Sequence, residues 1–451
     1  RRLKARGIGR KPLAQQQPHV AALFGLGLAV PAGDHLGTAT TFQLADLWRH
    51  YVLQIGQQAA QGAGRQRLIA APQRGLQALV RGARRWHLGG CAIGHLSATE
   101  QDAFKLRQVE RALQRAAPAA EISFFGAADR TAYRNRSNYI PFRDRWGRVK
   151  MGSFRPGTHE PADMAGCAIV RPPIDAVAQK IAALIGSEVP LHPAPTGLRT
   201  VTIRADGNGR VLVDLVCGVA NPPWRDPLVA AIAALPEVLG ISATLNNRSG
   251  NAIRVADSTV LAGEETVVET VGPLSLHVCA SGFFQLNTAT ATAMYARASR
   301  WCPQAGIVMD LYCGVGGLGL SLVHGSRGRL FGADSAAAAI RLAQRNGADA
   351  GADARFAIRD LSAGVPPDWP APELISVNPP RKGLDVAIRQ FLCNRADRSN
   401  VIYMSCHPET FAEDAQALCR AGFHLREVVA FDMLPHTPHV ELLGFFKGHP
   451  R

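Results

Sequence analysis

The stretch Val308-Met309-Asp310-Leu311-Tyr312-Cys313-Gly314-Val315-Gly316-Gly317-Leu318-Gly319-Leu320 constrains this chain more than any other. An apolar run ends in an acid, a glycine-dense turn follows, and a new apolar helical pattern begins. That is the signature of a strand, a tight loop and a helix start. Glycines let the backbone turn sharply and let a ligand approach closely. The helix that follows points its first N–H groups at whatever occupies the loop. Alone, such a loop also suits a plain packing turn, so its surroundings decide.

Those surroundings alternate. Helical spacing over 289–300 is followed by a strand at 307–311, a helix at 319–324, a strand at 329–333 and a helix at 336–346. Strands at 354–358 and 374–377, a helix at 386–393, a strand at 401–404 and a helix at 408–421 complete the pattern. Alternation of this kind predicts a parallel, doubly wound sheet. Two final apolar strands, 424–432 and 439–446, are joined by a proline-containing bend. They are expected as an antiparallel pair at one edge.

Upstream the pattern changes. A helix is expected over 99–115, with Ser97 or Thr99 as its cap. Short alternating runs then appear at 121–125, 137–141, 148–154, 200–204, 211–216, 241–246, 266–271 and 274–279. Helices interrupt near 174–184 and 227–235. The spacing predicts an α+β region with an antiparallel sheet. Within it Arg134, Arg136, Arg143, Arg145, Arg148 and Lys150 alternate with Tyr133, Tyr139, Phe142, Trp146 and Phe154. Guanidinium and aromatic groups together suit phosphate contact and base stacking, so Arg134 and Arg136 are taken as RNA contacts. A solvated strand face with half-buried aromatics is the plainer alternative.

The formal net charge of +15 over 451 residues favours a polyanionic partner. No apolar run reaches spanning length, and the stretch 20–30 is not read as a signal peptide, so no membrane partner is expected. Nine scattered cysteines with no pairing pattern suit a reducing compartment, the cytoplasm.

In a doubly wound sheet, ligands lie at the carboxyl ends of the strands. Polar residues fall there in succession. Gly314 and Gly316 form the loop. Asp334 ends the second strand, where an acid takes ribose hydroxyls. Asp360 follows the third, within reach of an adenine edge. Asn378 opens Asn378-Pro379-Pro380-Arg381 after the fourth. For each alone a cap or turn role is the plain alternative. Cys406 ends the fifth strand just before a helix, a location that depresses thiol pKa values. The bend Asp432 to Glu441 gathers two histidines and two acids in no standard zinc spacing, and an acid or base near Cys406 is the better reading.

These motifs resemble the RNA 5-methyluridine (uracil-C5) methyltransferase family, 23S rRNA-type members in particular. The matching residues are Phe283-Phe284-Gln285-Leu286-Asn287, Asp310 to Gly316, Asn378 to Arg381, Ser405-Cys406 and Asp432 to Glu441. Tyr133-Arg134-Asn135-Arg136 and Asn246-Asn247 extend the match upstream. The resemblance implies a Rossmann-like methyltransferase domain (mostly parallel sheet with an antiparallel edge hairpin) over 281–451, after an α+β RNA-binding domain over 88–280. Residues 1–87 are assigned to no domain and are expected to be disordered or irregular. It implies S-adenosyl-L-methionine as methyl donor, contacted by Gln285, Tyr312, Asp334 and Asn378. It makes Cys406 the nucleophile and Glu441 the base, and it places Phe283, Asn287, Arg381 and His439 at the RNA.

The chain departs from the family in one respect. Many rRNA-modifying members hold a 4Fe–4S cluster on four cysteines. Here Cys91 and Cys167 match two of the positions, while Gly82 and Leu88 occupy the others. Two thiolates are too few for that cluster. The expected activity is methyl transfer from S-adenosylmethionine to C5 of a uridine in RNA, 23S rRNA favoured, by a monomer. The alternatives are a tRNA uridine C5-methyltransferase, or a catalytically impaired RNA-binding relative.

Overall fold

The computed structural model describes residues 90–114, 116, 120–247 and 258–448. The unassigned segment 1–87 lies outside them. The described residues begin with a helix, α1 (Ala98–Leu113), and a strand, β1 (Glu121–Phe125). Strands β2 (Arg136–Arg143), β3 (Val149–Phe154) and β4 (Pro161–Asp163) follow, then α2 (Pro172–Leu184), β5 (Leu198–Ala205), β6 (Val211–Cys217), α3 (Arg225–Ala233), β7 (Val238–Leu245) and β8 (Thr259–Gly263). A hairpin, β9 (Thr266–Val271) and β10 (Leu274–Cys279), precedes α4 (Thr288–Ser299). The doubly wound part runs β11 (Ile307–Leu311), α5 (Gly317–Val323), β12 (Arg329–Asp334), α6 (Ala337–Asp349), β13 (Ala354–Ile358), β14 (Leu374–Val377), α7 (Val386–Cys393), β15 (Asn400–Ser405), α8 (Pro408–Arg420), β16 (His424–Phe431) and β17 (Glu441–Lys447).

Eight strands form the larger sheet, in the order β1-β16-β17-β15-β14-β11-β12-β13. The strand order reverses between β11 and β14, whose Val308 pairs with Leu374 in parallel. That reversal is the switch point where a crevice opens above the strand ends. The central strands are apolar at nearly every position because helices cover both faces. All of Leu374–Val377 is buried, as are five of the six residues of β15. One core lies on each face, around Leu276, Met294 and Leu320 on one side and Ile388, Tyr403 and Phe411 on the other.

The C-terminal pair is antiparallel as expected, but it is not the edge. Glu121 of β1 pairs in parallel with Glu427 of β16, so the edge strand comes from far upstream. The sequence places 121–125 with the antiparallel region because alternation reports a half-buried strand and nothing of its partner. Helix α1 belongs with it. Ser97 caps α1 in a capping box with Glu100. Lys105, fully buried, pairs with Asp432 at the end of β16 and donates to the Leu434 carbonyl at 3.0 Å. Arg130 approaches the other oxygen of Asp432 at 3.1 Å.

The smaller sheet has the order β4-β3-β2-β5-β6-β7-β8. It is antiparallel apart from β6 and β7, which α3 joins in parallel. Helices α2 and α3 cover it around a third core of Ile174, Ile181, Val201 and Ile232. The hairpin β9–β10 forms a sheet of its own, contrary to the expectation that it joins the antiparallel one. It packs on α4 and α6. No helix among the described residues is long and apolar enough to cross a membrane.

Breaking a buried ion pair leaves a charge without its partner. Lys105→Met is expected to cost about 3 kcal/mol, the low end for such pairs, because Arg130 still faces Asp432. Urea unfolding of the variant beside the parent measures it.

Candidate active site

A cavity of about 830 Å³ opens at the carboxyl ends of the parallel strands. Its wall includes Phe283, Gln285, Tyr312, Gly314, Asp334, Asp360, Asn378, Arg381, Cys406 and Glu441. Ten of the residues singled out from the sequence thus meet around one space.

The glycine loop forms the floor. Gly314 and Gly316 have φ of 53° and 84°, in the left-handed region that glycine tolerates. Gly314 lines the cavity, whereas Gly316, expected at the cofactor, faces the core, where a Cβ would meet Phe356 at 3.2 Å. A Cβ on Gly314 would meet nothing within 4 Å, so the bare backbone leaves room for a ligand. Tyr312 also has a positive φ, 61°, which is costly for a residue with a side chain. Its hydroxyl donates to Asp385 at 3.0 Å and accepts the Asp385 N–H at 3.2 Å, which holds the turn. Asp385 also lines the cavity. Sequence reasoning missed it, although its place just before an apolar helical run was a legible cap signal.

The strand-end acids serve the backbone as well as the cavity. Asp334 accepts the Gly314 N–H at 3.0 Å and the Ala336 N–H at 2.9 Å. Asp360 caps a 3₁₀ turn through the Ser362 N–H at 2.9 Å and its hydroxyl at 2.7 Å. Asp310 is buried beneath the loop, where it accepts from Ser376 at 2.6 Å and the Gly319 N–H at 3.0 Å. Burial raises its pKa to about 7, against the pull of those two donors.

The opposite wall is a segment clamped from the smaller sheet. Asn135 donates from its side chain to the Gln285 carbonyl at 2.9 Å and from its backbone to the Leu286 carbonyl at 3.0 Å. Arg136 donates to the carbonyls of Ser281 at 3.2 Å and Gly282 at 2.7 Å. Arg204, fully buried and missed in the sequence, donates to Cys279 at 2.9 Å and to Gly282 at 2.7 Å. Held this way, Phe283 stays 60% exposed at the cavity.

Three residues expected at the RNA are placed differently. The Arg136 guanidinium grips protein carbonyls. Arg134 donates to the Arg136 carbonyl at 2.9 Å and stands away from the cavity wall. Asn287 is buried and caps α4 through the Thr290 N–H at 3.2 Å. Arg and Asn suit phosphate contact and backbone capping equally well, so their type could not separate the two. Arg381 and His439 are exposed; Arg381 lines the cavity and His439 does not.

Cys406 follows β15 and Glu441 begins β17. The register that pairs Ser405 with Leu442 brings them side by side. Burial raises the Glu441 pKa to about 8, with Arg381 pulling it down. Burial and the Glu441 charge raise the Cys406 thiol above its ordinary value, while the Arg381 charge and its hydrogen bond to the sulfur act the other way. The expected lowering by the helix N-terminus is therefore outweighed. His407, rather than Cys406, occupies the cap, accepting the Thr410 N–H at 3.4 Å. His436 is buried between Gln101, at 3.3 Å, and the Arg130 carbonyl, at 2.9 Å.

Cys91 and Cys167 border the same core. Burial and the neighbouring Cys167 raise the Cys91 thiol to about 11, against the charge of Arg134. With Gly82 and Leu88 in the remaining positions, this donor set does not fit a four-iron cluster. Among the described residues no group of three or more His, Cys, Asp or Glu is arranged to hold a metal.

Residues 289–398 match the family described as Methyltransferase small domain, and residues 368–447 match tRNA (Uracil-5-)-methyltransferase. The chain is 30% identical over 372 residues to a protein of Halalkalibacterium halodurans named as an uncharacterized RNA methyltransferase, covering 78% of this chain and 80% of that one. A protein of the same description from Bacillus cereus is 29% identical over 375 residues, covering 80% and 81%. The solved structure of the Pyrococcus abyssi tRNA (uracil-54, C5)-methyltransferase in complex with S-adenosyl-L-homocysteine aligns with a TM-score of 0.67 at 25% identity, over 80% of this chain and 84% of that one. Together with the doubly wound sheet and its glycine cradle, these matches define an S-adenosylmethionine-dependent RNA methyltransferase. The chain belongs to the RNA 5-methyluridine methyltransferase family.

Replacing Arg381 by alanine removes the positive charge beside the thiol, so the Cys406 pKa rises further and less thiolate is present at pH 8. Alkylation of Cys406 by iodoacetamide, followed on its peptide by mass spectrometry, is expected to slow by about three- to tenfold.

Proposed function

We propose that this enzyme methylates C5 of a uridine through a transient bond between Cys406 and the pyrimidine ring. The observation that carries this reading is the placement of Cys406, one residue past β15, beside Glu441 at the start of the neighbouring β17, both in the wall of the cavity that the glycine loop also lines. S-adenosylmethionine, when bound, supplies an electrophilic methyl group on a sulfonium. Gln285, Tyr312, Gly314, Asp334, Asp360 and Asn378 would hold it, and the open space over Gly314 fits such a ligand.

The chemistry explains the residue types. Uracil C5 is a weak nucleophile. The Cys406 thiolate adds to C6, and the displaced electron pair moves to O4 as an enolate. C5 then forms its bond to the methyl carbon as the methyl–sulfonium bond breaks. Glu441 takes the proton from C5, and that electron pair expels the thiolate from C6. Arg381, bonded to the sulfur, favours the thiolate against the cost of burial. The uridine must first leave its stack, and the exposed ring of Phe283 at the cavity offers a compensating surface.

We infer 23S rRNA as the substrate. The support is the adjacency of Cys91 and Cys167, which match two cluster positions of rRNA-modifying relatives. The second reading is tRNA, favoured by the alignment with the Pyrococcus abyssi enzyme. Tritiated methyl transfer to unmodified 23S rRNA and tRNA transcripts separates them.

Incubation with 5-fluorouridine RNA and S-adenosylmethionine is expected to give a covalent complex stable to denaturing gel electrophoresis, absent from Cys406→Ala. Turnover by Cys406→Ala at the parent rate would refute the nucleophile. Glu441→Gln is expected to accumulate the adduct on ordinary RNA and to lose about 10²- to 10⁴-fold in kcat. Since Glu441 must be ionised to accept the proton, the parent activity should rise with pH through about 8. A flat profile from pH 6 to 9 would contradict the assignment.

A further inference from the structure

Strand β2 links the cavity wall to a distant, exposed aromatic group. At its start, Arg136 grips the Gly282 carbonyl beside Phe283. At its end the chain turns through Asp144-Arg145-Trp146-Gly147 into β3. Seven residue steps at about 3.4 Å put the turn roughly 24 Å from Arg136.

The turn is rigid. Gly147 takes φ of 78° and donates to the Asp144 carbonyl at 2.9 Å. The Asp144 side chain accepts the N–H groups of Trp146 at 2.9 Å and Arg148 at 3.0 Å. The backbone is therefore committed internally, while the indole is not: Trp146 is 62% exposed. Burying so large an apolar group normally stabilises a fold, so its exposure on a fixed tip needs a reason. Two guanidinium groups lie over the ring, Arg145 at 3.9 Å and Arg148 at 4.6 Å from its centre. Asp144 neutralises Arg148 at 2.9 Å and Asp163 neutralises Lys150 at 3.1 Å. Among the described residues no carboxylate pairs with Arg143 or Arg145, and the chain as a whole carries +15.

We propose that this hairpin tip is a second RNA-binding point, at which Trp146 stacks on a base and Arg145 contacts a phosphate. It binds a nucleotide outside the cavity. At about 3.4 Å per nucleotide of stacked strand, that separation corresponds to some seven nucleotides between the tip and the part of the cavity wall that Arg136 holds. The inference rests on RNA being the substrate and gives the enzyme a means of preferring a long, folded substrate over a short one. Stacking and a single phosphate contact together suit a sequence-tolerant anchor.

The test uses the full chain and two uridine-containing probes, a 30-nucleotide stem-loop and a hexamer, with binding followed by fluorescence anisotropy at two salt concentrations. Arg145→Ala/Trp146→Ala is expected to weaken stem-loop binding by about tenfold or more and to reduce its salt slope by about one. Binding of the hexamer and of S-adenosylmethionine should be unchanged, and Arg145→Ala/Trp146→Phe should recover the stacking part. Equal stem-loop affinity in parent and double variant would overturn the proposal and leave the uridine chemistry intact. Equal losses for both probes would overturn it as well, since the tip would then not be a remote anchor. Failure of the parent to bind either RNA would instead remove the substrate reading on which it rests.

Discussion

The candidate site depends on one strand running against its neighbours. β17 enters the sheet antiparallel to both β15 and β16, with Ser405 opposite Leu442 and Phe431 opposite Glu441. A parallel strand in that slot would begin at the far end of the sheet. Running backwards, β17 begins where β15 ends, so an acid and a thiol more than thirty residues apart meet at the crevice. Side chains alternate across a strand, so a one-residue slip would turn Glu441 to the other face. The register is held by an apolar strand with both faces buried, in which Leu442, Leu443 and Phe446 are almost inaccessible.

The second constraint is electrostatic. Glu441 is buried and Cys406 half-buried, and the Glu441 charge adds to the cost of ionising the thiol. Arg381 reaches them from the corner after β14, where two prolines limit the backbone. One exposed guanidinium thus balances two groups that burial would keep neutral. Elsewhere charges serve the scaffold: Arg136 and Arg204 converge on one carbonyl, that of Gly282, and so set the position of the aromatic ring that follows.

Much of the site was legible because doubly wound sheets expose the carboxyl ends of their strands, and Gly314, Asp334, Asp360, Asn378 and Cys406 are all strand-end residues. Their second duty was not legible. Whether a carboxylate faces a ligand or a backbone N–H is decided by loop geometry, and Asp334 does so with Gly314 twenty residues away. Arg204 escaped notice, and Arg136 was read as an RNA contact, for a related reason. An arginine in an alternating strand reads as solvated or nucleic-acid-facing unless its tertiary partners, here the 279–282 carbonyls, are known. The strand over 121–125 was plain from its alternation, yet its partner at 424–431 was not. Pairing over some three hundred residues leaves no local trace.

That long-range pairing bears on how this protein can be divided. The carboxyl-terminal part carries most of the doubly wound sheet, and a cut near residue 281 would look natural on the sequence. Such an excision would strip β1 from β16 and leave a row of unsatisfied peptide groups open to other chains. It would also strand the carboxylate of Asp432 in an apolar interior without Lys105. The upstream helix and strand are in effect the last stave of the catalytic half, delivered from the far side of another sheet.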